Sequence, residues 1–362
     1  MKYLLLSAML FFWVNVFAQE CSKESLLQTP GVWKEKMKGS EGGTAADLAR
    51  QKKVVAAIHT MIKLKYTPKG VSANFGGVYG RSEINRPGNS YGYRIKPLNY
   101  YCDGNNIKIA DESPNSFSIS ANKFNAEIYD TAQRAEGFNV MSDMPEQKNG
   151  YWYFKDIDEN IGFGMTGKSS MWLITYDGKL PYAYVTKKEF LEKRKRALQS
   201  QKLEAVSGFM DVLQRIEIEK KYKETEFKNE PEKLKKYMKM DYLQIKERYE
   251  KLLADNEKTY KPAFDKIEAQ LKMPSAELSQ QAIVKMDPND YLSYLFTDDD
   301  DPFGKILIKP NPGYFNKKLP KSSPQFFWID VVYNHKEPIA TQFKEDILKA
   351  VDFAALKNML GK

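Results

Sequence analysis

The sequence predicts an α+β fold: an antiparallel or mixed β-sheet domain with flanking helices, carrying a long inserted antiparallel helical hairpin. Three observations predict it. From Val71 to Val185 the chain is aromatic and β-branched, punctuated by Gly, Asn and Pro, as in short antiparallel strands. Thr186 to Lys272 then carries 40 charged residues in 87, with prolines only at 231 and 262. Mixed texture returns from Pro274 to Lys362. The few short strands there are too few for a stable sheet of their own, so the expectation is that they join the earlier strands around the hairpin.

The chain opens on Lys2 followed by an apolar core from Leu4 to Val14, interrupted only by Ser7. That core is short for a membrane span, and Val16 and Ala18 occupy positions −3 and −1 of a cleavage site. The reading is a signal peptide over 1–18, removed to leave Gln19 first and a periplasmic or secreted protein. Lipidation at Cys21 would need a small residue before it, where Glu20 stands. No later stretch approaches the roughly 20 apolar residues of a spanning helix, so no transmembrane helix is expected in the mature chain.

Residues 19–185 form the N-terminal helix and β-rich part. Leu48, Val54, Val55, Ile58 and Ile62 recur with helical spacing over Ala45 to Tyr66, and Pro68 and Gly70 end the helix. Strands are expected at Ile107 to Ala110, Ser116 to Ser120, Tyr151 to Lys155, Met171 to Tyr176 and Tyr182 to Val185. Asp103-Gly104 and Asp177-Gly178 are turn dipeptides, the second predicting a hairpin between its flanking apolar runs. Gly76 to Asn99, with five glycines, reads as a long loop or irregular strands. Cys21 and Cys102, the only cysteines, are candidates for a disulfide in an oxidising compartment, with two unpaired thiols as the alternative.

Residues 186–272 read as the hairpin. Met238, Tyr242, Ile245, Tyr249 and Leu252 make one apolar seam, answered by Leu191, Leu198, Val206, Phe209, Leu213 and Ile216. Asn229, Glu230 and Pro231 mark the reversal, and Pro262 predicts a kink in the returning arm. Residues 273–362 are expected to complete the α+β domain with strands at Ile283 to Lys285, Ile306 to Lys309 and Phe326 to Tyr333. A last helix is expected from Ala340 to Leu360.

Several motifs carry chemistry on pattern alone. Gly162 to Ser169, GFGMTGKS, fits a phosphate-binding loop, but that loop must enter a helix, and Met171 to Tyr176 are strand formers. The glycines are therefore read as a turn between strands. Asp156, Asp158 and Asn160 alternate like calcium ligands, with Ile161 and Gly167 in place of the turn glycine and the bidentate glutamate. Asp298 to Asp301 reads as a solvated acidic loop that could hold a cation with Asp287 or Asp290. The two histidines, His59 and His335, read as structural or exposed, and no catalytic residue is singled out. No pattern requires a cofactor or a metal.

The candidate anion-binding face is basic: Lys187, Lys188, Lys193, Arg194, Lys195, Arg196 and Lys202. Outside the cytoplasm its natural counterparts are an anionic lipid surface, a polysaccharide or an envelope protein, and nucleic acid is not expected.

The segment Gly167 to Glu192, with Met171-Trp172-Leu173 and Lys179-Leu180-Pro181-Tyr182, resembles uncharacterised secreted proteins of Gram-negative bacteria. Pro312-Gly313-Tyr314-Phe315, Leu319-Pro320 and Pro324-Gln325 are similar to their C-terminal part. The resemblance implies export and brings no activity with it. Two function classes stay open: a non-enzymatic envelope protein, binding or scaffolding through the hairpin and the aromatic, Gly-rich loops, and a hydrolase of envelope or extracellular polymers. The first is preferred, because no carboxylate pair or histidine set stands out. The mass of the exported protein is expected to correspond to a chain beginning at Gln19, and a diacylglyceryl adduct on Cys21 would refute the processing argument.

Overall fold

The computed structural model describes residues 21–36, 43–80, 88–124, 129–135, 137–141, 144–162, 164–285, 295–298, 301 and 303–362. The expected signal peptide and its cleavage site lie outside the described residues. In chain order the helices are α1 (Lys23–Gln28), α2 (Ala45–Lys65), α3 (Lys187–Glu226), α4 (Pro231–Tyr237), α5 (Leu243–Gln270), α6 (Ser275–Leu278), α7 (Pro338–Ala350) and α8 (Phe353–Asn358). The first strands are β1 (Val32–Lys36), β2 (Val71–Tyr79), β3 (Tyr91–Asp103), β4 (Asn106–Ile109) and β5 (Ser116–Ala121). Then come β6 (Tyr129–Ala135), β7 (Phe138–Met141), β8 (Glu146–Lys148), β9 (Tyr151–Asn160) and β10 (Thr166–Ile174). The last are β11 (Tyr182–Tyr184), β12 (Ile283–Lys285), β13 (Leu295–Phe296), β14 (Gly304–Pro310) and β15 (Phe327–Tyr333). The class is α+β, and the elements divide between two compact units.

The first unit draws on residues within 1–124, 145–180 and 313–362. Its sheet runs β1-β2-β3-β5-β15-β10-β9-β8, with β4 beside β3. Only β1 and β2 are parallel among these pairs. Strict alternation in Ser116 to Ala121 buries Phe117, Ile119 and Ala121 on one face and leaves the serines half-buried on the other. The buried face packs against α2 through Val55, Ile58 and Ile62 and against α7 through Phe343 and Ile347. Each such side chain contributes about 1.5–3 kcal/mol on burial.

Caps set the helix limits. Thr44 accepts the Asp47 N–H at the start of α2, and Lys63 and Lys65 stand in its last turn, where they complement the helix dipole. The single helix expected from Ala340 to Leu360 is two helices, because Val351 and Asp352 are extended and Asp352 caps a new start on the Ala355 N–H. A second correction concerns Asp177-Gly178. No hairpin joins its flanking runs: β10 pairs with β9 and β15, whereas β11 pairs with β14 in the other unit.

The second unit draws on residues within 125–144 and 181–312. Its sheet runs β13-β12-β14-β7-β6, with β11 also on β14. Segment 273–362 therefore divides between two sheets, β12 to β14 lying with the hairpin and β15 with the earlier strands. The two ends of the hairpin meet at Leu307. The Val185 N–H donates to the Leu307 carbonyl, and the Leu307 N–H donates to the Ala282 carbonyl, each at 3.0 Å.

From its cap at Thr186, α3 runs 40 residues, about 60 Å at 1.5 Å per residue. The chain reverses at 227–230 and returns through α4, a π turn at Met238–Tyr242, and α5. Cross-arm pairs fix the antiparallel register: Lys195 meets Glu268 at 3.0 Å, Lys202 meets Glu257, and Lys246 meets Glu217 at 3.2 Å. Pro262 lies within α5 without ending it. The arms have separate small cores, one at the base around Phe190, Leu191, Leu198 and Ile267 and one at the distal end around Ile216, Tyr237 and Tyr242.

Cys21 and Cys102 form a disulfide with Cα atoms 5.7 Å apart, linking the start of the described chain to β3 across 81 residues. Replacing both by serine is expected to lower the unfolding free energy by about 2–5 kcal/mol, measured by urea denaturation. An unchanged midpoint would mean that the bridge does not constrain the unfolded chain.

Candidate binding site at the distal end of the hairpin

The distal end is built by a change of helical pitch. The Phe227 N–H bonds to the Lys223 carbonyl and closes α3, and Pro231 opens α4 in the first-turn position that tolerates its missing N–H. Tyr237 and Tyr242 are five residues apart, a spacing that points side chains to different sides of an α-helix. The wider π turn between them places both against Ile216.

Between these elements lies a hollow of about 520 Å³. Ile216, Phe227, Tyr237, Tyr242 and Ile245 supply its apolar lining, and Glu219, Lys223, Lys233, Lys236 and Asp241 its charged groups. The Tyr242 hydroxyl donates to the Glu217 carboxylate, and Lys246 donates to the same oxygen at 3.2 Å. The Tyr242 bond, aided by Lys246, holds Glu217 below its ordinary pKa. Lys223 is held above its own, first by its hydrogen bond to Glu226. Lys220 and Lys246 also stand 5.1 and 5.6 Å from the Tyr242 ring centre. Such a lining, with charged groups of both signs around apolar side chains, suits a ligand that has an apolar portion and charged groups.

The basic residues singled out from sequence are placed differently. In a helix of 3.6 residues per turn, Lys187 to Lys202 point in every direction, and most meet partners in their own unit. Lys187 donates to Gln280 at 3.0 Å, Lys188 lies 3.9 Å from Glu192, and Lys193 sits 4.0 Å over the Phe138 ring. Lys195 and Lys202 make the cross-arm pairs, Arg194 is buried, and Arg196 is exposed. The seven do not converge on one site.

The remaining motifs resolve into local structure. The glycine-rich pattern is the turn between β9 and β10, with Gly162 and Gly164 at positive φ and β10 following at once. Gly167 is required by packing: a Cβ there would lie 2.7 Å from the Tyr333 carbonyl oxygen. Asp156, Asp158 and Asn160 lie on β9. Asp156 accepts from Ser170 and Tyr153, Asp158 lies 4.0 Å from Lys168, and Asn160 accepts the Gly162 N–H. Asp301 accepts from Thr297 and from the Phe303 N–H, and these bonds lower its pKa. Asp287, Asp290, Asp299 and Asp300 lie outside the described residues.

In the first unit, a smaller hollow of about 240 Å³ is lined by Lys148, Asn149, Tyr151, Trp172, Leu348 and Phe353. His59 stacks on Phe75 with ring centres 4.0 Å apart, its Nε2 faces Glu35 at 3.5 Å, and its Nδ1 faces the Tyr93 hydroxyl at 3.4 Å. Comparison of the chain with protein-family models, curated proteins and solved structures returned no match. Sequence reasoning had Tyr242 and Ile216 as seam residues but not the hollow. The one available signal was Tyr237, which falls off the Met238-Tyr242 seam yet is aromatic.

Burial lowers the His59 pKa, outweighing the opposite pull of Glu35. The folded state therefore favours the neutral ring, and that stabilisation is present above the ordinary histidine value of about 6.5 and lost as pH falls through it. The thermal midpoint is expected to drop between about pH 7 and 5, and His59→Phe, which keeps a ring on Phe75, should flatten that drop. An identical pH profile in the variant would assign the effect to other groups.

Proposed function

We propose that the protein is an exported, non-enzymatic binding protein that engages an envelope component through the distal end of its helical hairpin. The observation that carries this is the hollow of about 520 Å³, where aromatic side chains of the reversal and the returning arm meet lysines. Aromatic rings with a few placed charged groups are the usual make-up of a recognition site. The hairpin also has its own small core at that end, with Val212, Leu213, Phe227 and Met238 packed around it. The end is thus held in shape by residues that do not belong to the base.

Export is supported by the character of residues 1–18 and by the Cys21–Cys102 disulfide, which suits an oxidising compartment. No helix among the described residues is long and apolar enough to cross a membrane. The partner is expected to be anionic, an acidic envelope surface being the natural counterpart of the lysines.

A photo-crosslinking side chain placed at Lys236, beside the hollow, is expected to give adducts in the producing cell, and one placed at Lys261, near the base, is not. Equal labelling at the two positions, labelling at 261 alone, or none at either would overturn the proposal.

A further inference from the structure

Over residues 220–239 the chain carries eight lysines against four glutamates. Three of the lysines have partners three or four residues away in the chain: Lys220 lies 3.8 Å from Glu224, Lys223 2.7 Å from Glu226, and Lys233 pairs with Glu230. The other five, Lys221, Lys228, Lys235, Lys236 and Lys239, are exposed and make no ion pair among the described residues. These five lysines exceed the carboxylates without an ion pair among the described residues at the turn of the hairpin, Glu232 within it and Glu219 and Asp241 beside it, so a positive excess is left there.

Large apolar side chains stand among these free lysines. Tyr222 is 65% exposed, Met240 51% and Leu243 43%. Met240 and Leu243 are exposed close to Lys236 and Lys239 in the chain, whereas Tyr237 and Tyr242 are turned inward. Water penalises such a surface, since it exposes apolar area without covering it.

From this juxtaposition we infer that the hairpin tip docks on an anionic lipid bilayer surface, the lysines meeting headgroup phosphates while Tyr222, Met240 and Leu243 enter the apolar boundary. The inference rests on the proposed role of the distal end and names the class of partner. Each part of the surface has a counterpart in that interface and in no simpler partner. An acidic polysaccharide would pair with the lysines but give no return for Met240 and Leu243. A second copy of the tip would be repelled by the same positive charge. At a bilayer, lysine stems lie along apolar surface with the ammonium directed to the headgroups, and flanking aliphatic and aromatic side chains reach the acyl boundary.

The test is co-flotation of the mature protein with vesicles of phosphatidylcholine alone or mixed with phosphatidylglycerol. Binding is expected only with the mixed vesicles, and it should weaken as salt shortens the range of the lysine charges. Each free lysine changed to glutamine should lower the partition coefficient about fivefold, so that K221Q/K235Q/K236Q/K239Q abolishes flotation at concentrations where the unaltered protein floats. Y222S/M240S/L243S should weaken the part of the binding that survives high salt, and K261Q/K266Q, near the base, should change nothing. Helical circular dichroism checks each variant, and the salt titration of the unaltered protein tests the inference without any substitution. Failure to bind mixed vesicles, binding independent of phosphatidylglycerol, or full binding by the four-lysine variant would overturn it. If vesicles fail while crosslinks at Lys236 persist, the distal end keeps its role and the lipid assignment falls; if both fail, the site itself is wrong.

Discussion

The larger sheet depends on one strand. β15 hydrogen-bonds β5 along one edge and β10 along the other, and among the described residues no other pairing in that sheet connects β1 to β5 with β8 to β10. Its sequence, FWIDVVY, is buried at every position but Asp330. Even Asp330 is tied down, accepting from the Ser169 hydroxyl at 2.9 Å. The strand reaches that slot from more than 150 residues further along the chain than β10, so its pairing closes a very long loop. Closure entropy grows only slowly with length, and the gain is the burial of Phe327, Ile329 and Val331 against the helices. The hairpin can lie within that loop because its two ends return to the same residue, Leu307.

Local chemistry explains what could be read from the sequence. The helix at 45–65 is bounded by a threonine cap and a Pro68-Gly70 stop, and the alternation from Ser116 to Ala121 allows only one face to be buried. The hairpin arms were legible because a 3-4 apolar seam repeats over many turns and ends at Asn229 to Pro231, where the chain does reverse. The disulfide could be named as a candidate and not decided, because cysteine spacing carries no information on Cα separation.

What could not be read depends on distant partners. Asp177-Gly178 has the residues of a tight hairpin, but the strands on either side find stronger pairings elsewhere, and the turn becomes a passage from one sheet to another. The basic run from Lys187 to Lys202 is conspicuous as a string of letters, yet winding it into a helix scatters it, and Phe138 and Glu268 take up Lys193 and Lys195. The hollow was hidden for the opposite reason. Its lining comes from two arms, and a π turn rather than the regular repeat sets which rings face it.

The disulfide also bears on where this chain can safely exist. Cys21 immediately precedes α1 and β1, and β1 is the strand that covers the outer edge of β2. With the bridge closed, the segment carrying that cover stays tethered to β3, the strand on the other side of β2. With the thiols reduced that tether is lost, and detachment of β1 would leave the five residues of β2 that it pairs, Ser72 to Gly76, with unpaired backbone groups open to another molecule. Reducing surroundings would then remove one restraint against edge-to-edge association. A chain built this way is safest in the compartment that keeps its sulfurs joined.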